Sequence, residues 1–313
     1  MIHYSTFIES LNMILDETKH FATMMQDTYY INEESLPEYF EKSNFNKIFE
    51  FIFDKFSEII KDSWDKFKAE YKIYNSKASL LKKYKNKLYN INWDIEIEDE
   101  SFTFTNLDNS TNINMYKMIL NNNYRDLMGN LGEIYKSKQL DAIHTIISTI
   151  YNELDDHYLY MEYTGADILG LKRIVTKDSL PEDILNYYRI SKANNLIINK
   201  EEINKIAREY FESKSVEKVI TNDIDSLLKY TSEMKDKFTN IDFVSYLPQQ
   251  DINIDISSKY IDIIREYINR VQDICNMYIQ VISIKLDVVK MYKEQQVRIL
   301  SKAILKSIKE GKM

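Results

Sequence analysis

The chain has 313 residues and a formal net charge of −8, with 44% hydrophobic and 29% charged residues, a foldable composition without the signature of disorder. Five glycines and three prolines leave little material for tight turns, which suits long helices and argues against sandwiches, barrels and Gly-rich phosphate loops. The single Cys275 excludes a disulfide framework within the chain and a cysteine-rich metal cluster.

The opening residues carry acids early and lack a basic n-region, so no signal peptide is expected. No apolar run nears the length of a membrane span, and an intracellular product is expected. Residues 2–27 read as a short amphipathic helix, followed by a turn at 32–40 in which Ser35 suits an N-cap and Pro37 the first helical turn.

A long helix is predicted next. Phe45, Ile48, Phe49, Ile52, Phe56, Ile59, Ile60, Trp64, Phe67, Tyr71 and Tyr74 recur at steps of three and four, the pattern of one buried helix face. Phe51 and Phe53 lie off this stripe and point to a second contact on the flank. Six lysines and six acids interleave on the polar side of residues 44–73. An interfacial membrane helix would carry a Lys-rich polar face instead. Burial against helices of the same or a neighbouring subunit is the better account, with Phe45, Phe49, Ile52, Phe56, Ile60, Trp64 and Phe67 as the candidate packing interface.

Residues 66–87 hold eight lysines against the single acid Glu70; Lys82, Lys83, Lys85 and Lys87 are the densest group. The period then changes. Ile95, Ile97, Phe102 and Phe104 alternate with polar residues, predicting a small β-hairpin at about 94–106. Helices are expected again at 111–128, 133–164, 179–193, 199–213 and 214–239, with glycine breaks at Gly129–Gly132 and Gly165–Gly170. The last helix is predicted from Ser257 or Ser258 to about 310. Tyr260, Ile264, Tyr267, Val271, Ile274, Tyr278 and Val281 form a heptad seam. The seam is expected to shift to Ile282, Leu286 and Val289 and to resume as Val297, Leu300, Ile304 and Ile308, with a possible fold-back near Glu294–Gln296. Arg298, Lys302, Lys306 and Lys309 make a cationic face opposite the last of these. A solvated or internally paired face is the expected state of both basic groups, with the acidic run at 94–100 that follows 66–87 as an internal partner for that group; acidic protein partners, nucleic acid and anionic lipid are the alternatives.

The expected fold is therefore all-α: an elongated helical bundle with long coiled-coil-like helices and one small β insertion. A soft boundary near 107–110 would separate an N-terminal helical unit, 1–107, from a C-terminal bundle, 108–313. No motif names a reaction. None of the five glycines begins a phosphate loop, and Glu153 and His157 stand one residue further apart than the Glu-x-x-His pair of di-iron bundles, with no second copy. No catalytic set, cofactor or metal is expected.

The order of elements carries one resemblance. A short N-terminal helix (FIESLNMILDE), a Phe/Trp-rich helix (FEFIFDKFSEIIKDSWDKF), a lysine-rich continuation (LLKKYKNKLYN) and a brief β element (DESFTFTNL) resemble the helical virion structural proteins of large tailed bacteriophages over residues 7–107. The resemblance implies a non-enzymatic capsid-, neck- or tail-associated or internal subunit, assembled in the host cytoplasm, whose partners are other virion proteins and copies of itself. Nucleic-acid association through the lysine-rich helices, or membrane activity of the aromatic helix, are the alternatives.

Overall fold

The structure, a computed structural model, describes residues 43–77, 79–137, 139–156, 184–185, 187–212, 215–246 and 254–313. The helix expected at 2–27, the Ser35–Pro37 turn, Gly165, Gly170 and His157 lie outside the described residues.

In chain order the elements are α1 (Ser43–Lys77), α2 (Ser79–Lys83), α3 (Lys85–Tyr89), β1 (Glu96–Phe104), α4 (Ile113–Lys136), α5 (Leu140–Asp156), β2 (Arg189–Asn199), α6 (Lys200–Glu212), α7 (Ser215–Thr239), a short 3₁₀ turn (Phe243–Tyr246) and α8 (Ile254–Lys309). The protein is all-α, and among the described residues it has one small antiparallel sheet of two strands. β1 forms where the alternation predicts it. Its partner is β2, some ninety residues further along, paired from Glu96↔Asn199 to Phe104↔Arg189 with a bulge between Asp99 and Ser101. Residues 189–193, expected as the end of a helix, belong to that strand.

Helix α8 organises everything else. Its 56 residues rise about 84 Å without interruption, so the chain does not fold back at Glu294–Gln296. The seven residues of the predicted seam, Tyr260 to Val281, are all essentially inaccessible. Two apolar cores are strung along this one helix. The first gathers α1, α4, α5, α7 and the α8 residues Ile256 to Val289. The second gathers Leu81, Leu88, Ile91, Ile95, Ile97, Ile198, Ile203 and Ala207 around Ile299, Leu300, Ala303 and Ile304 of α8. The expected division at 107–110 does not follow these cores: α1 and α4, on either side of it, share the first. Ile308, expected on the seam, is 42% exposed, so apolar packing ends one turn earlier.

Helix α4 runs through Gly129 and Gly132, where a break was expected, and stops at Ser137, whose backbone is extended. Each glycine costs a helix about 1 kcal/mol. Continuing the turn buries Leu131 and Ile134 completely, worth about 1.5–3 kcal/mol apiece. Burial outweighs propensity.

Candidate functional site

Three features concentrate the chemistry of the molecule: the aromatic ridge of α1, a buried ion pair between α7 and α8, and the cationic end of α8. The ridge lies inside the protein. Phe45, Phe49, Ile52, Phe56, Ile60 and Phe67 are buried and Trp64 is partly so. Their covers are α4, α7, α8 and the 3₁₀ turn: Phe49 lies 4.8 Å from Phe238, Phe45 lies 5.4 Å from Phe243, and Phe56 stacks 5.6 Å from Tyr116 of α4. The off-stripe Phe53 meets Phe238 at 5.7 Å, the second contact its position implies. Asn46 at the start of α1 donates to the carbonyls of Thr239 and Ile241, tying down the C-terminus of α7. The packing interface read from the sequence is thus this chain's own core.

The seam tyrosines of α8 use their hydroxyls as fasteners, as buried tyrosines do. Tyr260 donates to the Phe243 carbonyl at 2.7 Å and Tyr278 to the Asn112 carbonyl at 3.1 Å, while Tyr267 accepts from Asn130 Nδ2 at 2.9 Å. Burial pushes Tyr267 up to about 12 and Tyr260 and Tyr278 higher still. All three stay neutral donors or acceptors. The thiol of Cys275, also buried, is pushed up to about 12 by the same desolvation, which makes it an inert core residue.

One seam position is not apolar. After Tyr278 and Val281 the next seam residue is Lys285, followed by Val288, and the expected shifted positions Ile282, Leu286 and Val289 are buried alongside them. Lys285 Nζ meets Asp223 Oδ2 of α7 at 2.8 Å, with side chains 1% and 3% exposed. It also donates to the Asn109 carbonyl at 2.8 Å. Asp223 in turn accepts from the Ser110 hydroxyl and from the Thr111 backbone N–H. One buried pair therefore pins the loop after β1 to two helices. Loss of hydration lowers the Lys285 pKa and Asp223 opposes that shift.

Lys293 marks the junction between the two cores. It is buried, donates to the Tyr210 carbonyl at 3.1 Å and lies 3.8 Å from the Tyr210 ring centroid. Desolvation holds its pKa down to about 8, against the ordinary 10.5, with Glu217 pulling the other way. Between those values the unfolded chain keeps a proton that the folded chain has released, so stability rises with pH across that window. Denaturant unfolding at pH 7.5 and 9.5 is expected to show wild type gaining about 2 kcal/mol over Lys293→Met between the two pH values. Equal pH dependence of the two proteins would refute this.

The cationic end of α8 is occupied within the chain. Arg298 Nε contacts both carboxylate oxygens of Asp99 at 3.1 and 3.0 Å, and Lys302 Nζ stands 3.5 Å from Asp99 Oδ1. Lys302, Lys306 and Lys312 then donate to the backbone carbonyls of Glu98 (3.2 Å), Glu96 (2.7 Å) and Asp94 (3.2 Å). The register has a simple cause: four helical residues advance about 6 Å, and two strand residues about 6.6 Å. Lysines four apart on α8 thus meet alternate carbonyls on β1. Gly311, at φ 68°, ends α8 in a Schellman turn, with Gly311 N–H donating to Ile308 O and Lys312 N–H to Ser307 O. This turn brings Lys312 back to the strand. Lys309 is exposed. Of the face that the sequence marks as basic, Arg298, Lys302 and Lys306 are engaged here within the chain.

The other basic group is not so engaged. Lys82, Lys83 and Lys87 are exposed and among the described residues have no carboxylate partner. Lys85 lies over the rings of Tyr89 and Phe211 at 5.2 and 5.3 Å.

A polar cleft of about 780 Å³ opens between the start of β1, the start of α6 and the end of α8, lined by Asp94, Glu96, Asn199, Lys200, Lys306 and Lys312 among others. Asn199 caps α6, accepting from the Glu201 and Glu202 N–H groups, while Glu202 accepts from Asn199 N–H. Lys200 pairs with Asp94 at 3.6 Å. The lining lysines are therefore already paired. Among the described residues no group of three or more His, Cys, Asp or Glu side chains is placed to hold a metal ion, and no helix is long and apolar enough to cross a membrane. No family model, no curated protein and no solved structure matches the chain.

Proposed function

We propose that the chain is a non-enzymatic structural subunit, a helical spacer of the kind that builds phage virions, working through packing and not through chemistry. One observation carries this reading. A single helix of about 84 Å is held by two cores, and the buried ionisable groups along it serve as fasteners between helices, loop and strand. The aromatic ridge cannot be the docking face, because the chain covers it. Contacts with neighbouring virion proteins or further copies instead use exposed apolar side chains on α4 and α5: Met118, Tyr135, Leu140 and Tyr151. Mass spectrometry of particles purified from the source tests the proposal. The chain is expected at a fixed stoichiometry; its absence from intact particles overturns the reading.

A nucleic-acid-associated role keeps one observation in its favour: Lys82, Lys83 and Lys87 are exposed and have no carboxylate partner among the described residues. Three phosphate contacts give a slope of log affinity against log salt of about −2.7 on duplex DNA. Binding that ignores salt removes this alternative.

A further inference from the structure

Along the edge of β1 that faces away from β2, the carbonyls of Glu96 and Glu98 are held by the protein's own tail. Alternate residues of an antiparallel strand turn both backbone groups to the same edge. Asn199, opposite Glu96, gives its N–H to Glu202 and not to the ladder. Residues 96 and 98 therefore present N–H and C=O groups outward, and Lys306 and Lys302 meet those carbonyls. An ammonium group donates and never accepts, so the lysines offer nothing to the Glu96 and Glu98 N–H groups. An added strand would serve both kinds of group.

We propose that β1 is a strand-addition site kept closed by Lys302, Lys306 and Lys312, and that its occupant is an extended basic segment of a partner protein. The flanking chemistry selects that partner. Glu96 and Glu98 have exposed side chains, so a strand with lysine or arginine at alternate positions places opposite charges across the new pair. A second copy of β1 would set carboxylates against carboxylates. Lys302 and Lys306 on α8, with Lys312 just past its end, already imitate the basic strand, supplying donors at its spacing without its acceptors. Entry requires their stems to swing out and the last turns of α8 to shift. In those turns Leu305 and Ile308 are 55% and 42% exposed, and the contact to be broken is the one from Trp93 Nε1 to the buried Ser307 hydroxyl, at 3.3 Å. This shift leaves Leu300, Ala303 and Ile304 in the second core.

The test uses the full chain, wild type and with Lys302, Lys306 and Lys312 each changed to Gln. The probe is a short fluorescent peptide of alternating lysine and valine, with a control peptide whose valines are prolines. Fluorescence anisotropy is expected to show the triple variant binding the parent peptide roughly tenfold more tightly than wild type, and the proline peptide roughly tenfold more weakly than the parent. Equal affinity of the two proteins overturns the closed-edge claim. Equal affinity for the two peptides shows charge attraction without strand addition and also overturns it. Dimerisation of the triple variant without peptide, seen by light scattering, overturns the choice of occupant. If circular dichroism shows that the variant has not folded, amide exchange of wild type with saturating peptide decides. Roughly tenfold slowing at Glu96 and Glu98 supports the site, and unchanged exchange rejects it.

Discussion

Asp223→Ala is expected to destabilise the protein by about 3–5 kcal/mol, because it strands the Lys285 ammonium in a site from which water is excluded. Lys285 keeps only the Asn109 carbonyl and the distant Thr111 hydroxyl at 3.5 Å, and the Thr111 N–H loses its acceptor. A charge buried without its counter-charge is far costlier than a pair replaced whole. Asp223→Ala combined with Lys285→Met should therefore recover more than half of the loss, since an unbranched apolar side chain fits a seam position. Urea unfolding of the three variants measures this directly. A single variant within about 1 kcal/mol of wild type would show that the pair is solvated and that the loop 109–111 is held by other means.

The second large effect is expected at Phe49. Its ring is inaccessible and packs against Phe238 and Phe243, so Phe49→Ala should cost about 3–5 kcal/mol in monomer stability, transfer and cavity terms together. The half-buried Phe51 on the same helix is the internal control, with a loss of about 1 kcal/mol or less expected there. This comparison separates an internal core from a docking ridge. Were the ridge a subunit interface, Phe49→Ala would leave thermal unfolding of the isolated chain unchanged and weaken association instead.

The periodic part of the fold was legible because burial and period are the same signal. The α1 stripe and the α8 seam each predicted their buried residues, and the alternation at 95–104 located β1. What failed to show was whatever depends on partners distant in sequence. β2 carries Lys192, Asn194 and Asn195 between Ile190 and Leu196, with no clean alternation; β1 recruits it across the fold, and tertiary context overrides local preference. Gly129 and Gly132 looked like a break because glycine usually ends helices, yet Leu131 and Ile134 had continued the stripe.

The electrostatic features divide the same way. The four-residue spacing of Arg298, Lys302 and Lys306 was visible, but two of these three bind backbone carbonyls, which have no residue identity to read. Among 49 acids nothing marks Asp223. Lys285 did leave a trace: it stands where the heptad of Tyr278 and Val281 requires its next apolar residue. A lone charge at a seam position signals a buried, specific partner. Lys293 and Gln296 interrupt the neighbouring stripe of Leu286, Val289 and Leu300 in the same manner, and they mark the passage from the first core to the second.

The proposed spacer depends most on α8 being one unbroken rod through that passage. Nitroxide labels at Asp273→Cys and Lys309→Cys, thirty-six residues apart, measure it by electron–electron double resonance, since the buried native thiol of Cys275 is shielded from labelling. A continuous helix predicts a narrow distribution centred near 54 Å. A broad distribution, or a centre below about 35 Å, would mean that the helix bends back between the two cores, and the spacer built on it would fall.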